Sequence, residues 1–236
     1  MCSLPRVAVI TPYHEEAVEV IRRCHESVLI QSFKCLHVLV ADGTLCAELD
    51  SWDCHHVVLP VSHNDIGSTP RLIGCFHAIG LGFDAVAFLD ADNWYSPSHI
   101  ANLMKIMKDH DADFVSSGRM LWSLDGHRMG ECPITNPRSF IDTNCMLFGR
   151  KAFMILHQWV LMPDYGHLIG DRIMYHHVLQ SGLVTAHTPS PTVNYLCGKE
   201  GLYRLMNQPV PLGCAKRPDY ESSFRRWVQD GNQPLI

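Results

Sequence analysis

The stretch Val86-Ala87-Phe88-Leu89-Asp90-Ala91-Asp92-Asn93 decides how the rest of the chain is read. Four apolar residues run into two carboxylates separated by one small residue. The apolar part predicts a buried strand, with Gly82 before it and Ser96-Pro97 after it as punctuation. Side chains alternate along a strand, so Asp90 and Asp92 leave its C-terminal end on the same side. In open α/β sheets ligands bind at the carboxyl ends of the strands. Two carboxylates there suit a hard divalent cation, which prefers oxygen ligands. The plainer alternative is an Asp-rich turn ahead of the next helix, since Asp favours turns on its own account.

Upstream, Arg6-Val7-Ala8-Val9-Ile10-Thr11 is a near-continuous apolar run, as expected of a strand buried on both faces, and Pro12-Tyr13-His14 ends it. Over 15–31, Ala17, Ile21, Cys24 and Val28 repeat at helical spacing, with Glu15 and Glu16 at the positive end. Further strands are expected at 36–41, closed by Asp42-Gly43-Thr44, at 55–60 and at 114–116, with helices over 69–81 and 97–110. Strands alternating with helices predict a mostly parallel sheet with helices on its faces. Thr11, Asp42 and the Asp90/Asp92 pair then meet along one edge. Downstream the pattern loosens. Residues 118–138 are turn-rich, 143–148 read as a strand and 151–161 as a helix. Gly170-Asp171 opens a helix to about Gln180, and 220–230 forms a terminal one. Residues 187–218 hold five prolines and three glycines, which predicts loops and a lid. No repeat or linker divides the chain. It reads as a single Rossmann-like domain over 1–236, with a donor half (1–117) and an acceptor half (118–236).

Composition narrows the function. The 236 residues are 47% hydrophobic, enough for a large core, and the net charge of −5 argues against a nucleic-acid binder. No apolar run approaches the ~20 residues of a membrane span. Met1-Cys2-Ser3-Leu4-Pro5-Arg6 leads straight into a strand with no leader pattern. The ten cysteines contain no Cys-x-x-Cys pair, so they read as reduced thiols in a cytoplasmic protein. The fifteen histidines contain no His-x-x-x-His, which removes the usual helical zinc signature.

Several residues carry candidate chemistry. Asp42 could accept a hydrogen bond from the ring N–H of a base while Gly43 lets the backbone approach, although Asp-Gly is also a common turn. In Asp65-Ile66-Gly67-Ser68-Thr69-Pro70-Arg71, Ser68 or Thr69 suits an N-cap and Pro70 the first helical position. A helix start beside Arg71 is a natural phosphate site, against the alternative of a solvated arginine. Asp90 and Asp92 suit Mg²⁺ or Mn²⁺, which keeps positions for water and phosphate oxygens. Asn93 could orient those ligands, and Trp94 and Tyr95 could wall a sugar pocket or simply pack. Asp171 at a helix start is either a cap or an acid that the helix field keeps ionised.

These features in this order resemble the nucleotide-sugar glycosyltransferases of the GT-A fold, most closely the inverting family 2 enzymes. Val7-Ala8-Val9-Ile10-Thr11-Pro12-Tyr13-His14-Glu15 is similar to the family's opening strand and loop, and Glu26-Ser27-Val28-Leu29-Ile30-Gln31-Ser32-Phe33 to the end of its first helix. Val40-Ala41-Asp42-Gly43-Thr44 resembles its second-strand motif, with Ala41 where an acid is common, and Phe88-Leu89-Asp90-Ala91-Asp92-Asn93 resembles its D-x-D motif. The resemblance implies donor-nucleotide contacts at Thr11, Pro12, Tyr13, Glu15, Asp42, Arg71, Asp90 and Ala91. It implies a Mn²⁺ or Mg²⁺ ligand at Asp92, with Asp90 as a second candidate. Asp142-Thr143-Asn144-Cys145-Met146-Leu147-Phe148-Gly149-Arg150 is similar to the strand at the acceptor site, which implies acceptor-side roles for Asp142 and Asn144. Asp171 matches the family's catalytic base. Some relatives use a downstream His on the metal, for which His167 and His187 are candidates. Ser223 stands where the processive enzymes' Q-x-x-R-W has Gln, ahead of Phe224-Arg225-Arg226-Trp227, so polymer synthesis coupled to export is not expected. The expected activity is metal-dependent inverting transfer from a nucleoside-diphosphate sugar, UDP-sugar favoured, to an acceptor hydroxyl. The alternatives are a nucleotidylyltransferase acting on sugar phosphates, whose Gly-rich first loop is missing here, or a catalytically silent nucleotide-binding relative. A homo-oligomer is compatible with the sequence. The sugar and the acceptor are not readable from it.

Overall fold

The computed structural model describes residues 5–235. Strands β1 (Val7–Tyr13), β2 (Cys35–Ala41), β3 (His55–Val58) and β4 (Ala85–Phe88) alternate with helices α1 (Val18–Leu29) and α2 (Ser68–Gly80). After β5 (Trp94–Tyr95) come α3 (His99–Asp109), β6 (Phe114–Trp122), β7 (Arg128–Glu131) and β8 (Met146–Gly149). Then follow α4 (Gln158–Leu161), α5 (Gly170–Gln180), β9 (Thr185–Leu196), α6 (Glu200–Leu205) and α7 (Tyr220–Gln229). Among the described residues nine strands form one sheet in the order β3-β2-β1-β4-β8-β6-β9-β5, with β7 beside β6. Strands β1 to β4 pair in parallel, as do β6 and β9, while β8 lies antiparallel between β4 and β6.

Burial explains the arrangement. Every residue of β1 and β4 is buried, as the continuous apolar runs demand of central parallel strands. Phe88, Phe148 and Phe114 step across β4, β8 and β6 edge to face, with ring centroids 5.6 and 4.9 Å apart. Helix α2 lies on β1 and β2 at Gly74, where a Cβ would fall 2.4 Å from Ile10 Cγ2. The register sets Tyr13 opposite Ala41 and Ile10 opposite Phe88, so the loops carrying Asp42 and Asp90 leave the same edge.

The second half differs from expectation in physically readable ways. Strand β6 continues through Trp122 and β7 follows it, within a stretch expected to be turns. The expected strand at 143–148 begins as a 3₁₀ turn, Thr143–Cys145, because Asp142 accepts the Asn144 N–H, and only Met146–Gly149 is extended. The helix expected over 151–161 is a 3₁₀ segment, Arg150–Ile155, followed by the single turn α4. The largest correction is β9, a twelve-residue strand where loops were expected. Its ladder with β6 shifts register on both sides of Gly118, which faces Pro191. Proline lacks an N–H and fits where a bulge interrupts the ladder. Helix α6 also falls within that region. The cysteines from Cys24 to Cys214 are free thiols. No helix among the described residues is long and apolar enough to cross a membrane.

Candidate active site

Asp90 leaves β4 into a clamp of hydrogen bonds. Its Oδ1 accepts from Arg71 Nη2, and its Oδ2 accepts from Asn144 Nδ2 at 2.9 Å. Its own N–H donates to Asn144 Oδ1 at 2.6 Å. The same Asn144 Nδ2 donates to Asp142 Oδ1 at 2.8 Å, and Asp142 Oδ2 accepts from Arg119 Nη1. A continuous chain Arg71–Asp90–Asn144–Asp142–Arg119 thus ties α2, β4, the 3₁₀ turn and β6 together. Arg71, Arg119, Asp142 and Asn144 are buried, so each charge needs its partner. Burial works against the Arg119 charge, but Asp142 outweighs it and holds the guanidinium firmly protonated.

Arg71, Asp90, Asp142 and Arg119 of this network line a cavity of about 530 Å³, within the ordinary range of small-molecule sites. Trp159, His167, Asp171 and Arg172 line the same cavity. His167 Nδ1 is 2.9 Å from the Ser68 hydroxyl at the start of α2. Asp171 sits in the first turn of α5 without capping it: the N-cap position is Ile169, and Asp171 Oδ1 accepts only the adjacent Arg172 N–H, at 2.7 Å. Among the described residues no cation pairs with the Asp171 carboxylate. Burial, then the charge of Asp142, push it up to about 6. Desolvation and the neighbouring carboxylate outweigh the Arg172 backbone hydrogen bond and the charges of Arg172 and Arg119, which pull the other way. A carboxylate near 6 is still ionised at neutral pH and is a stronger base than an ordinary one.

Of the other sequence-predicted residues, Arg71, Asp90, Asp142 and His167 belong to this cavity's wall, and the rest are not among its lining. Asp42 ends β2 buried, and its oxygens accept from His63 N at 3.0 Å, His63 Nδ1 at 2.8 Å and Ser62 Oγ at 3.3 Å. Burial would raise its pKa, but the His63 and Ser62 hydrogen bonds win and hold it below the usual carboxylate range. Thr11 turns its hydroxyl into the core, 2.9 Å from His37 Nε2, and Tyr13 turns its hydroxyl to His56 Nε2 at 2.6 Å. Pro12 packs against Gly67 and Ala91 is buried beside Tyr13, while Glu15 is exposed. What the β1 loop offers a ligand is therefore backbone and Glu15 rather than the Thr11 or Tyr13 hydroxyls.

Arg71 is not the free phosphate contact that the helix start suggested. Gly67 is the N-cap of α2, the Thr69 N–H is taken by Asp65 Oδ2 at 2.8 Å, and Arg71 Nη1 donates to Ile66 O at 2.8 Å. Trp94 and Tyr95 pack rather than wall a pocket. Arg23 lies over the Trp94 ring, and Tyr95 is buried with its hydroxyl on Phe88 O at 2.5 Å. Asn93 donates nothing to the acids; its Oδ1 accepts from Leu196 N at 2.8 Å, tying the loop to β9. His187 bonds Ser116 Oγ at 2.9 Å and lines a separate, smaller pocket.

The two acids of the opening stretch are not equivalent as cation ligands. Both Asp90 oxygens already have donors, Arg71 among them. Among the described residues no cation pairs with the Asp92 carboxylate; Arg23 donates instead to its backbone carbonyl, at 2.6 Å. Burial, then Asp90, then Glu16 push Asp92 up to about 7. A carboxylate so destabilised in its charged form is one that a divalent cation would relieve. No group of three or more His, Cys, Asp or Glu residues among the described ones is placed to hold a metal. The donor set thus fits a cation held by one or two carboxylates and completed by ligand oxygens, the usual habit of Mg²⁺.

Arg119, Arg172, Trp159 and His63 are site residues that the sequence reading passed over. Arg119 had a signal: it is the lone charge in Phe114-Val115-Ser116-Ser117-Gly118-Arg119-Met120-Leu121-Trp122, and a charge inside a buried strand needs a reason.

A mixed sheet with acids at its parallel strand ends and a further acid on the adjoining cavity is the arrangement of the GT-A fold. The family described as glycosyl transferase family 2 matches residues 8–165, and the chain belongs to that family. It is 25% identical over 182 residues to the succinoglycan biosynthesis protein ExoW of Rhizobium meliloti (strain 1021), covering 64% of this chain and 57% of that protein. Its fold is similar to that of S. aureus TarS 1-349 in complex with UDP, with a TM-score of 0.62, 11% identity and coverage of 85% of this chain and 63% of the other. The same TarS fragment in complex with UDP-GlcNAc aligns with a TM-score of 0.57 at 10% identity, covering 81% and 58%. The chain therefore spans less than two thirds of the length of these relatives.

Proposed function

We propose that the chain transfers a sugar from a nucleoside-diphosphate sugar to an acceptor hydroxyl, with inversion at the anomeric carbon. The observation that carries this reading is Asp171, an acid without a cation partner and poised near 6, on the cavity that Asp90 borders at the strand end. Asp171 takes the proton of the acceptor hydroxyl as its oxygen attacks the anomeric carbon. The leaving diphosphate departs from the opposite face of a transition state with oxocarbenium character, as in inverting glycosidases. Asp42 accepts the ring N–H of the base, for which uracil is favoured, with His63 yielding or sharing the carboxylate. The Arg71–Asp90–Asn144 clamp fixes the strand end so that the acids hold one geometry, which is where positioning energy comes from. Asp92, with Asp90 beside it, would hold Mn²⁺ or Mg²⁺, which supplies charge neutralisation of the leaving group. Complexes of TarS with UDP and UDP-GlcNAc support a uridine nucleotide donor.

The test is a thermal-shift panel of nucleoside diphosphates and their sugars, with Mn²⁺ or with chelator, followed by donor hydrolysis. A bound nucleotide at a hundredfold excess over its Kd stabilises by about 2.7 kcal/mol. The expected result is a metal-dependent shift with uridine nucleotides that Asp92→Ala abolishes. Absence of any nucleotide shift, or a shift unaltered in Asp92→Ala, overturns the reading.

A further inference from the structure

We propose that the acceptor carries an oxyanion, a carboxylate or a phosphate, beside its reacting hydroxyl, and that Arg172 seats it together with Lys199 of the same cavity. The inference rests on Asp171 as the base, because Arg172 lines the same cavity and its charge acts on the Asp171 carboxylate. The whole chain has a net charge of −5, yet the cavity wall carries six Lys and Arg residues against three Asp. Arg71 and Arg119 are consumed by Asp90 and Asp142. Arg204 and Arg217 pair with Glu200 and Glu221 in exposed contacts at 2.9 and 3.6 Å, which are individually weak. Arg172 and Lys199 line the cavity and have no carboxylate partner among the described residues.

Arg172 is also held in place. Its guanidinium lies 4.4 Å from the Phe140 ring centroid and 5.5 Å from that of Phe224. A guanidinium fixed by stacking has already lost much of its side-chain freedom, so binding an oxyanion costs less ordering. A planar fork with free N–H groups matches a carboxylate or phosphate in two parallel hydrogen bonds. In the proposed reading the donor diphosphate lies at the strand end by Asp92 and Asp90, where Asp90 borders the cavity, whereas Arg172 adjoins Asp171 on the acceptor side. An anion next to Asp171 would face like charge from that residue and Asp142. Arg172 and Lys199 offset it and leave Asp171 able to ionise.

The test uses the full chain loaded with UDP. Calorimetry measures binding of p-nitrophenyl glycosides in matched sets: the neutral sugar, its uronic acid and its 6-phosphate. In at least one set an anionic member is expected to bind about tenfold tighter than the neutral one, the return of one or two charge-assisted hydrogen bonds. The arm that wins distinguishes carboxylate from phosphate. Arg172→Gln removes the advantage, Arg172→Lys keeps part of it, and Lys199→Gln reduces it, while added salt weakens it in the parent. Equal binding of neutral and anionic members, no binding of any member, or an advantage intact in Arg172→Gln overturns the inference. Donor hydrolysis without acceptor is read in parallel: its absence removes the transferase reading itself, whatever the binding ratio.

Discussion

Asp171 and Asn144 carry opposite lessons about polar groups at the edge of the core. Asp171 is poised by being left without a cation, and that has a stability consequence with a definite sign. A carboxylate raised to about 6 in the folded chain, against ~3.9 unfolded, favours the protonated form. Its contribution is fully present below the unfolded value and is lost as the pH rises through about 6. Asp171→Asn keeps a neutral group there at every pH. At pH ~7.5 the variant is expected to be more stable than the parent by about 1–2 kcal/mol, discounted because the side chain opens onto a cavity, with the gap closing near pH ~4. The same variant loses about 10²–10⁴ in transfer rate while keeping nucleotide binding. In the parent, kcat/KM rises with pH through about 6 as the base ionises. Urea unfolding at the two pH values and a rate profile check both halves; full activity in Asp171→Asn assigns the residue to structure alone. Asn144 is the reverse case, with its side chain fully used between Asp90 and Asp142. Asn144→Ala leaves buried acceptors short of donors and is expected to cost about 2–3 kcal/mol. Asn144→Asp sets a third carboxylate among two arginines and costs more at neutral pH. Equal stability of the two variants in urea would show that the clamp does not act through charge.

Helix α2 gives the next prediction, because two of its glycines face different surroundings. Gly74→Ala gains about 1 kcal/mol of helix propensity. Its Cβ, however, would meet Ile10 Cγ2 at 2.4 Å and Val40 Cγ2 at 3.0 Å, under the seam between helix and sheet. Overpacking of that kind costs about 1–3 kcal/mol, so the net is destabilising. Gly80→Ala meets nothing within 4 Å and is expected to stabilise by about 0.5 kcal/mol. Thermal melts of the two variants should shift in opposite directions; a stabilised Gly74→Ala would mean that α2 rides higher on the sheet. Legibility follows the same local logic. The strands β1, β2 and β4 were readable because strands buried on both faces leave nothing but apolar side chains in the sequence. Strand β9 was not, since Thr-Pro-Ser-Pro-Thr (residues 188–192) carries two prolines and no apolar alternation. Its pairing is supplied by β6 across the break at Gly118, where a Cβ would lie 2.5 Å from Pro189 O. The site divides along the same line. Carboxylates at strand ends were legible because each closes an apolar run, although each also read as a turn on its own. The Asn144–Asp90 clamp spans 54 residues of sequence, and the stacking of Arg172 depends on Phe140 from upstream and Phe224 from far downstream.

The sheet topology bears on whether the donor and acceptor halves are separable parts of the molecule. The boundary near residue 117 falls inside β6, a continuous strand, and β8 from the second half inserts between β4 and β6. Val86 pairs with Phe148 and Ala87 with Leu147, so the strand that carries Asp90 is completed only by chain 60 residues downstream. Cutting there would strip β8 from β4, interrupt β6 and expose Phe88, which packs against Phe148 and Trp159 with centroids 5.6 Å away in both cases. An unpaired apolar strand edge of that kind invites association with other chains. At 236 residues the chain is also within the size that one core can serve, since cores stop growing only beyond ~250–300 residues. Residues 5–235 are therefore expected to unfold as one cooperative unit. Native-state hydrogen exchange is the measurement: the slowest amides of β1, β4, β8 and β6 should share one opening free energy, and its denaturant slope should match that of global unfolding. Residues 1–117 produced alone should give no cooperative melt. Two exchange plateaus divided between β4 and β8, or a folded 1–117 fragment that binds nucleotide, would show instead that the donor half is a domain in its own right. The Arg71–Asp90–Asn144 clamp would then be an interface between domains rather than part of one core.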